Sequence, residues 1–171
     1  MRDPDRLTLV LGGARSGKSA HAESLVTAHP APWTYVATAQ AHDDEMQARI
    51  GVHQARRATG WHTLEAPLDL VAALAVLPGD RPLLLDCLTL WLSNLMLAER
   101  DIEAESAGLL RLLAARPGPS VVVSNEVGFG IVPDNALARR FRDAAGRLNQ
   151  QTAAAADAVI LVVAGLPMKV K

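Results

Sequence analysis

The stretch Leu9–Glu23, "LVLGGARSGKSAHAE", decides how this chain is read. From Gly12 it runs G-G-A-R-S-G-K-S and so satisfies G-x-x-x-x-G-K-[ST]. It also lies between an apolar run and a helical segment, the context that a phosphate-binding loop requires. Glycines at Gly12, Gly13 and Gly17, with Ala14, Arg15 and Ser16 between them, let backbone N–H groups turn inward around phosphate oxygens. Lys18 reaches the terminal phosphates, and the Ser19 hydroxyl suits a Mg2+ ligand. The amino end of the following helix adds its partial positive charge.

Outward from this loop, five short runs are nearly continuous in apolar residues: 7–12, 33–38, 82–87, 120–125 and 158–164. Strands covered on both faces read this way, which predicts a parallel sheet in an α/β fold. Helical stretches separate the runs as crossover connections. They are expected from about Gly17 to His29, from His42 to Arg57, within "PLDLVAALAVL", over 88–115 and over 134–156. "AERDIEAESAG" is the weak point of the fourth, a helix break or a loop. In the last, Leu137, Phe141, Ala144, Leu148, Thr152 and Ala155 form a stripe for packing on the sheet, and Pro133 and Asp134 suit its start.

The chain has 171 residues, half of them apolar, and a formal net charge of -1. That supports one domain over 1–171 and gives no electrostatic case for nucleic acid. One cysteine, Cys87, excludes an intrachain disulfide. The polar start "MRDPDR" does not read as a signal peptide, and the longest apolar run is broken by Asp86, Ser93 and Asn94. A soluble, cytoplasmic protein without membrane insertion is expected.

Asp86 ends an apolar run, where an acidic residue helps to hold Mg2+ in such folds; a helix cap is the other reading. Cys87 beside it reads as a small buried residue. No N-K-x-D occurs, so base preference is not legible. In "HDDEMQARIGVHQARR", helical spacing groups Met46, Ile50, His53 and Arg57 in one sector. His53 is therefore either a hydrogen-bonded core residue or a nucleophile toward phosphorus. Its unperturbed pKa of about 6.5 leaves it neutral, and Arg56 or Arg57 would disfavour the imidazolium. The remaining histidines have no comparable setting. Gly128 and Gly130 in the loop Glu126–Asp134 allow unusual backbone angles or close approach to a ligand, and Glu126 is given no catalytic role.

Taken together, "GGARSGKS", "YVATA", "DDEMQARIGVHQARR", "LLLDCLTLWLSNLM" and "SNEVGFGIVPDNALARRFRDAAGRLNQQ" make a chain that resembles the bifunctional adenosylcobinamide kinase / adenosylcobinamide-phosphate guanylyltransferases of cobalamin biosynthesis. The resemblance runs from about Leu9 to the end. It implies a RecA-like phosphate-loop fold, phosphorylation of the aminopropanol hydroxyl of adenosylcobinamide by a nucleoside triphosphate, and transfer of GMP from GTP through a guanylylated histidine. By the "R-I-x-x-H" pattern that histidine is His53. Nucleotide contacts would fall on Gly12 to Ser19, on Thr38, Ala39 and Gln40, on Gln54, Ala55, Arg56 and Arg57, and on Glu65 and Asp86. The resemblance further implies GTP or ATP with Mg2+, the corrinoid substrates, and a homotrimer. Relatives often carry Arg-Pro soon after the histidine, where this chain reads "RRATGW", which leaves the path of that segment open. The competing readings are a single-step kinase with a structural His53 and a RecA-like ATPase module.

Overall fold

Strand β1, Leu7–Gly12, is apolar except for the buried Thr8 because it is covered on both sides. Leu9 packs in one apolar cluster and its neighbour Val10 in another, and both are fully buried. A side chain taken from water to this degree contributes about 1.5–3 kcal/mol, so the strands that lack polar faces define the middle of the sheet. The computed structural model describes residues 6–40 and 59–171.

Within those residues the chain runs β1, α1 (Lys18–Thr27), β2 (Trp33–Ala37), β3 (Trp61–Glu65), α2 (Leu70–Ala75), β4 (Leu83–Asp86), α3 (Leu88–Leu97), α4 (Ile102–Ala115), β5 (Ser120–Asn125), α5 (Ala136–Ala155), β6 (Ala158–Val163) and β7 (Leu166–Lys169). One seven-stranded sheet has the order β3-β2-β4-β5-β1-β6-β7. Its strands are parallel except β7, which pairs antiparallel with β6. Helix α1 covers one face through Ala22 and Val26. The other face carries α2 to α5, whose Leu70, Trp91, Leu109 and Leu148 meet Leu9, Leu85 and Val122. The expected α/β architecture with a mainly parallel sheet is what the chain forms.

Two strands escaped the sequence reading. The edge strand β3, "WHTLE", is only partly covered, and its mixed polarity resembles a loop. Strand β7, "LPMK", is exposed along its length and carries Pro167, which an edge tolerates because its missing N–H faces away from the ladder. The region 88–115 is two helices rather than one. Asp101 caps the second by accepting from the Ala104 N–H at 3.0 Å, so the polar run is a break. Helix α5 starts from Asn135, whose side chain accepts from the Ala138 N–H at 2.7 Å, rather than from Pro133 or Asp134. Its stripe is buried at Ala144, Leu148 and Thr152, but Leu137 is 61% exposed and Ala155 is exposed, because the ends of the helix overhang the core. The helix expected over His42–Arg57 lies outside the described residues.

Candidate nucleotide-binding site

The register of the sheet brings the candidate residues to one edge. Ala37 pairs with Glu65 on one side and Asp86 on the other, and Gly12 pairs with Asn125. These are the carboxyl ends of parallel strands, where open α/β sheets gather ligands. The loop 13–17 leaves β1 there and feeds α1, whose N-cap is Gly17 at φ 94°. A left-handed residue at that point favours glycine.

Gly12 has no room for a side chain. A Cβ there would lie 2.4 Å from Ser16 Oγ and 2.7 Å from the Val162 carbonyl oxygen. The loop is closed internally by the Ser16 N–H, which donates to the Gly13 oxygen at 3.3 Å, and by Lys18 Nζ, which donates to the same oxygen at 3.0 Å. It is also held from outside. The Gly165 N–H donates to the Ser16 oxygen at 2.8 Å, and the Glu126 N–H to the Gly12 oxygen at 3.1 Å. Gly165 (φ 80°) and Ala164 (φ 51°) form the tight turn between β6 and β7, so the last hairpin braces the loop. Sequence reading missed this brace. The signal was present as Ala-Gly between the runs "VILVV" and "LPMK".

Burial lowers the pKa of Lys18, opposed by Cys87 and then Asp86. Burial, then Asp86, pushes the Cys87 thiol up to about 12, so Lys18 faces Asp86 and a thiol that stays neutral at ordinary pH. Cys87 is thus the buried residue that the sequence suggested. Asp86 Oδ2 accepts from the Tyr35 hydroxyl at 3.1 Å, a partner the sequence did not announce although Tyr35 stands on the neighbouring strand.

Thr38 is fully buried just past β2 and ties that strand to β4. Its hydroxyl donates to the Cys87 oxygen at 2.7 Å and accepts from the Cys87 N–H at 2.9 Å. Its own carbonyl accepts from Asn94 Nδ2 at 2.9 Å, which also reaches the Pro67 oxygen at 2.9 Å. Thr38 therefore fixes the backbone from which the half-buried Ala39 and Gln40 depart, and Glu65 is exposed at the end of the next strand. His53, Gln54, Ala55, Arg56 and Arg57 lie outside the described residues.

Ser19 in the first turn of α1 and Asp86 supply a hydroxyl and a carboxylate, hard oxygen donors of the kind that hold Mg2+ together with phosphate oxygens and water. No cluster of three or more His, Cys, Asp or Glu that could hold a metal on protein ligands alone occurs among the described residues. The loop Glu126–Asp134 follows β5 at the same edge. Gly128 and Gly130 do not adopt left-handed angles, which leaves close approach to a ligand as the expectation for them, and the Gly128 N–H donates to Glu126 Oε1 at 2.6 Å. Phe129 and Ile131 in this loop are 84% and 96% exposed.

Among the described residues, no helix is long and apolar enough to cross a membrane. A family model described as cobinamide kinase / cobinamide phosphate guanyltransferase matches residues 8–170. The bifunctional adenosylcobalamin biosynthesis protein CobP of Pseudomonas aeruginosa is 49% identical over 166 residues, covering 95% of this chain and 96% of its own. The bifunctional adenosylcobalamin biosynthesis protein CobU of Salmonella typhimurium is 45% identical over 182 residues, covering 96% and 99%. The solved structure of a Pyrococcus horikoshii OT3 protein superposes with a TM-score of 0.54 at 10% identity, covering 100% of this chain and 88% of that one, a likeness of fold alone. With a complete phosphate loop at the carboxyl edge of its sheet and near full-length similarity to both relatives, the chain belongs to the cobinamide kinase / cobinamide phosphate guanyltransferase family.

Proposed function

We propose that the chain phosphorylates the aminopropanol hydroxyl of adenosylcobinamide and then attaches GMP to the phosphate so formed, giving adenosylcobinamide-GDP in cobalamin biosynthesis. The observation that carries this reading is the braced loop Gly12–Ser19 facing Asp86, in a chain that matches the family over 8–170. Both reactions need a cation beside the phosphorus under attack, and Lys18 is the residue that supplies it.

Ser19 and Asp86 hold Mg2+ in this proposal, and the ion offsets the charge of the phosphates. Thr38, Ala39, Gln40, Glu65 and the segment Gln54–Arg57 complete the nucleotide site. His53 is the nucleophile of the second reaction: its ring nitrogen bonds to the α-phosphorus of GTP, pyrophosphate leaves, and GMP passes on to the corrinoid phosphate. The exposed apolar residues Phe129, Ile131 and Leu137 support a homotrimer in which the macrocycle meets a neighbouring subunit, since large apolar patches mark interaction surfaces. The near-neutral charge supports small-molecule partners over nucleic acid, and the single cysteine fits a reducing cytoplasm.

GTP labelled on its α-phosphate tests the scheme. Wild type is expected to retain acid-labile, alkali-stable label after denaturation, and His53→Ala to retain none. Equal labelling of the two would remove His53 as nucleophile and leave a single-step kinase. Formation of phosphorylated cobinamide, followed chromatographically, tests the first reaction.

A further inference from the structure

Asn125 closes β5, the strand inserted between β1 and β4, so it stands between the phosphate loop and Asp86. Its backbone pairs with Gly12, and Asp86 pairs with Val123 two residues earlier. Alternation along the strand sets its side chain. Val121 and Val123 pack in the cluster beneath α1, whereas Ser124 bonds to Asn149 of α5 on the opposite face. Asn125 therefore presents its side chain on the face where the loop delivers Lys18.

Its backbone is fixed on each side. The Asn125 N–H donates to Thr89 Oγ1 at 2.7 Å, its carbonyl accepts from Asn149 Nδ2 at 3.2 Å, and the next N–H, that of Glu126, donates to the Gly12 oxygen. Yet Asn125 Oδ1 is buried with no hydrogen-bond partner among the described residues. Leaving such an acceptor unmatched costs about 1–3 kcal/mol, and a fold that holds it rigidly there implies a donor that arrives with the ligand. Phosphate oxygens only accept, and Lys18 Nζ bonds to Gly13 while none of its three donors reaches Asn125 Oδ1. The donor that the kinase reaction brings is the hydroxyl of the alcohol.

We propose that the carboxamide oxygen of Asn125 accepts the hydrogen bond of the substrate hydroxyl and aligns its oxygen on the terminal phosphorus of the nucleotide. This rests on the kinase reading given above. The hydroxyl oxygen forms the new P–O bond, the bond to the bridging oxygen breaks, and the nucleoside diphosphate leaves. The hydroxyl proton passes to solvent, because an amide orients the hydroxyl without being basic enough to take its proton. Transfer of GMP to an imidazole has no hydroxyl nucleophile and does not use this contact.

The full chain is assayed with adenosylcobinamide, Mg2+ and ATP or GTP, comparing wild type with Asn125→Ala and with Asn125→Asp, which keeps the shape and an acceptor oxygen. Loss of alignment is expected to lower kcat for phosphorylation by about 10–100-fold in the alanine variant. Its nucleotide KM and its labelling by α-labelled GTP stay at wild-type values, which also shows that it is folded. The aspartate variant keeps more of kcat than alanine and raises the nucleotide KM by charge repulsion. A wild-type kcat in the alanine variant overturns the assignment, as does a loss confined to nucleotide KM or an equal loss of labelling. A wild type that phosphorylates no cobinamide overturns the kinase reading itself, and this assignment with it.

Discussion

The backbone N–H of Gly165 donates to the carbonyl of Ser16 at 2.8 Å, so the turn between the last two strands holds the phosphate loop from outside. The contact joins positions 149 residues apart (165 − 16), and it reaches the loop proposed to hold the triphosphate. Gly17 lies against the same turn, with its added Cβ only 3.2 Å from Gly165 Cα.

That contact makes Gly165 sensitive in backbone angle rather than in volume. No atom lies within 4 Å of an added Cβ there, but φ is 80°. Valine in that region is strained by roughly 1–2 kcal/mol, whereas asparagine tolerates it. Gly165→Val is expected to weaken triphosphate binding about 5–30-fold by calorimetric titration, and Gly165→Asn to stay within about twofold. Gly12→Ala should be more severe, because its Cβ would meet the backbone oxygen of Val162 as well as the Ser16 side chain, and the backbone oxygen cannot turn aside.

Asp86 and Tyr35 separate charge from support. Asp86→Asn keeps the shape but removes the charge facing Lys18 and the proposed Mg2+, so both reactions are expected to fall by about 10²-fold or more. Tyr35→Phe removes the hydrogen bond that the hydroxyl donates to the carboxylate, and a loss of about 3–10-fold in kcat/KM is expected. Equal losses in the two variants would mean that Asp86 acts only through its tie to β2.

Much of this arrangement was legible because sequence and fold agree locally. "LTLVLGGARSGKS" contains strand, loop and helix start in one continuous segment, and no distant residue is needed to recognise it. Asp86 was legible for the same reason, as the polar end of an apolar run. The edge strands were not, since β3 and β7 lack the two-sided covering that makes a strand apolar. Tyr35, Gly165 and Asn125 escaped notice because their significance comes from neighbours across the sheet, which only register reveals. Thr38 was singled out by resemblance, yet the two bonds its hydroxyl makes to Cys87 follow from tertiary packing alone.

Those two bonds predict the behaviour of Thr38 variants. Valine has nearly the same shape but leaves the Cys87 N–H unmatched beside a fully buried side chain, while the Cys87 carbonyl keeps the Trp91 N–H at 3.2 Å. Thr38→Val is expected to lower unfolding free energy by about 1–3 kcal/mol in denaturant titration. Thr38→Ser keeps the hydroxyl, loses one methyl, and should cost about 1 kcal/mol. A serine variant as unstable as valine would assign the effect to packing instead.

Cys87 stands next to Asp86, and its chemistry runs opposite to that of a reactive thiol. Burial raises its pKa from 9.0 to about 12, and Lys18 nearby only partly offsets this. A thiol reagent at mildly alkaline pH is therefore expected to modify the unfolded chain and leave the native one untouched, so that labelling tracks unfolding. The linked effect on stability has a definite sign. Above 9.0 the unfolded thiol releases its proton while the folded one keeps it, so the native state binds more protons and stability falls as pH rises toward 12. Lys18 contributes the reverse, because its lowered pKa lets the folded chain release a proton first, and stability rises over a window ending near 10.5. The two are separable by substitution. Relative to wild type, Cys87→Ala starts less stable because of the lost side chain, and the gap is expected to narrow steadily from about pH 8 to 11 in urea titrations. A gap that stays constant over that range would mean that the Cys87 thiol ionises as readily in the folded protein as in the unfolded chain.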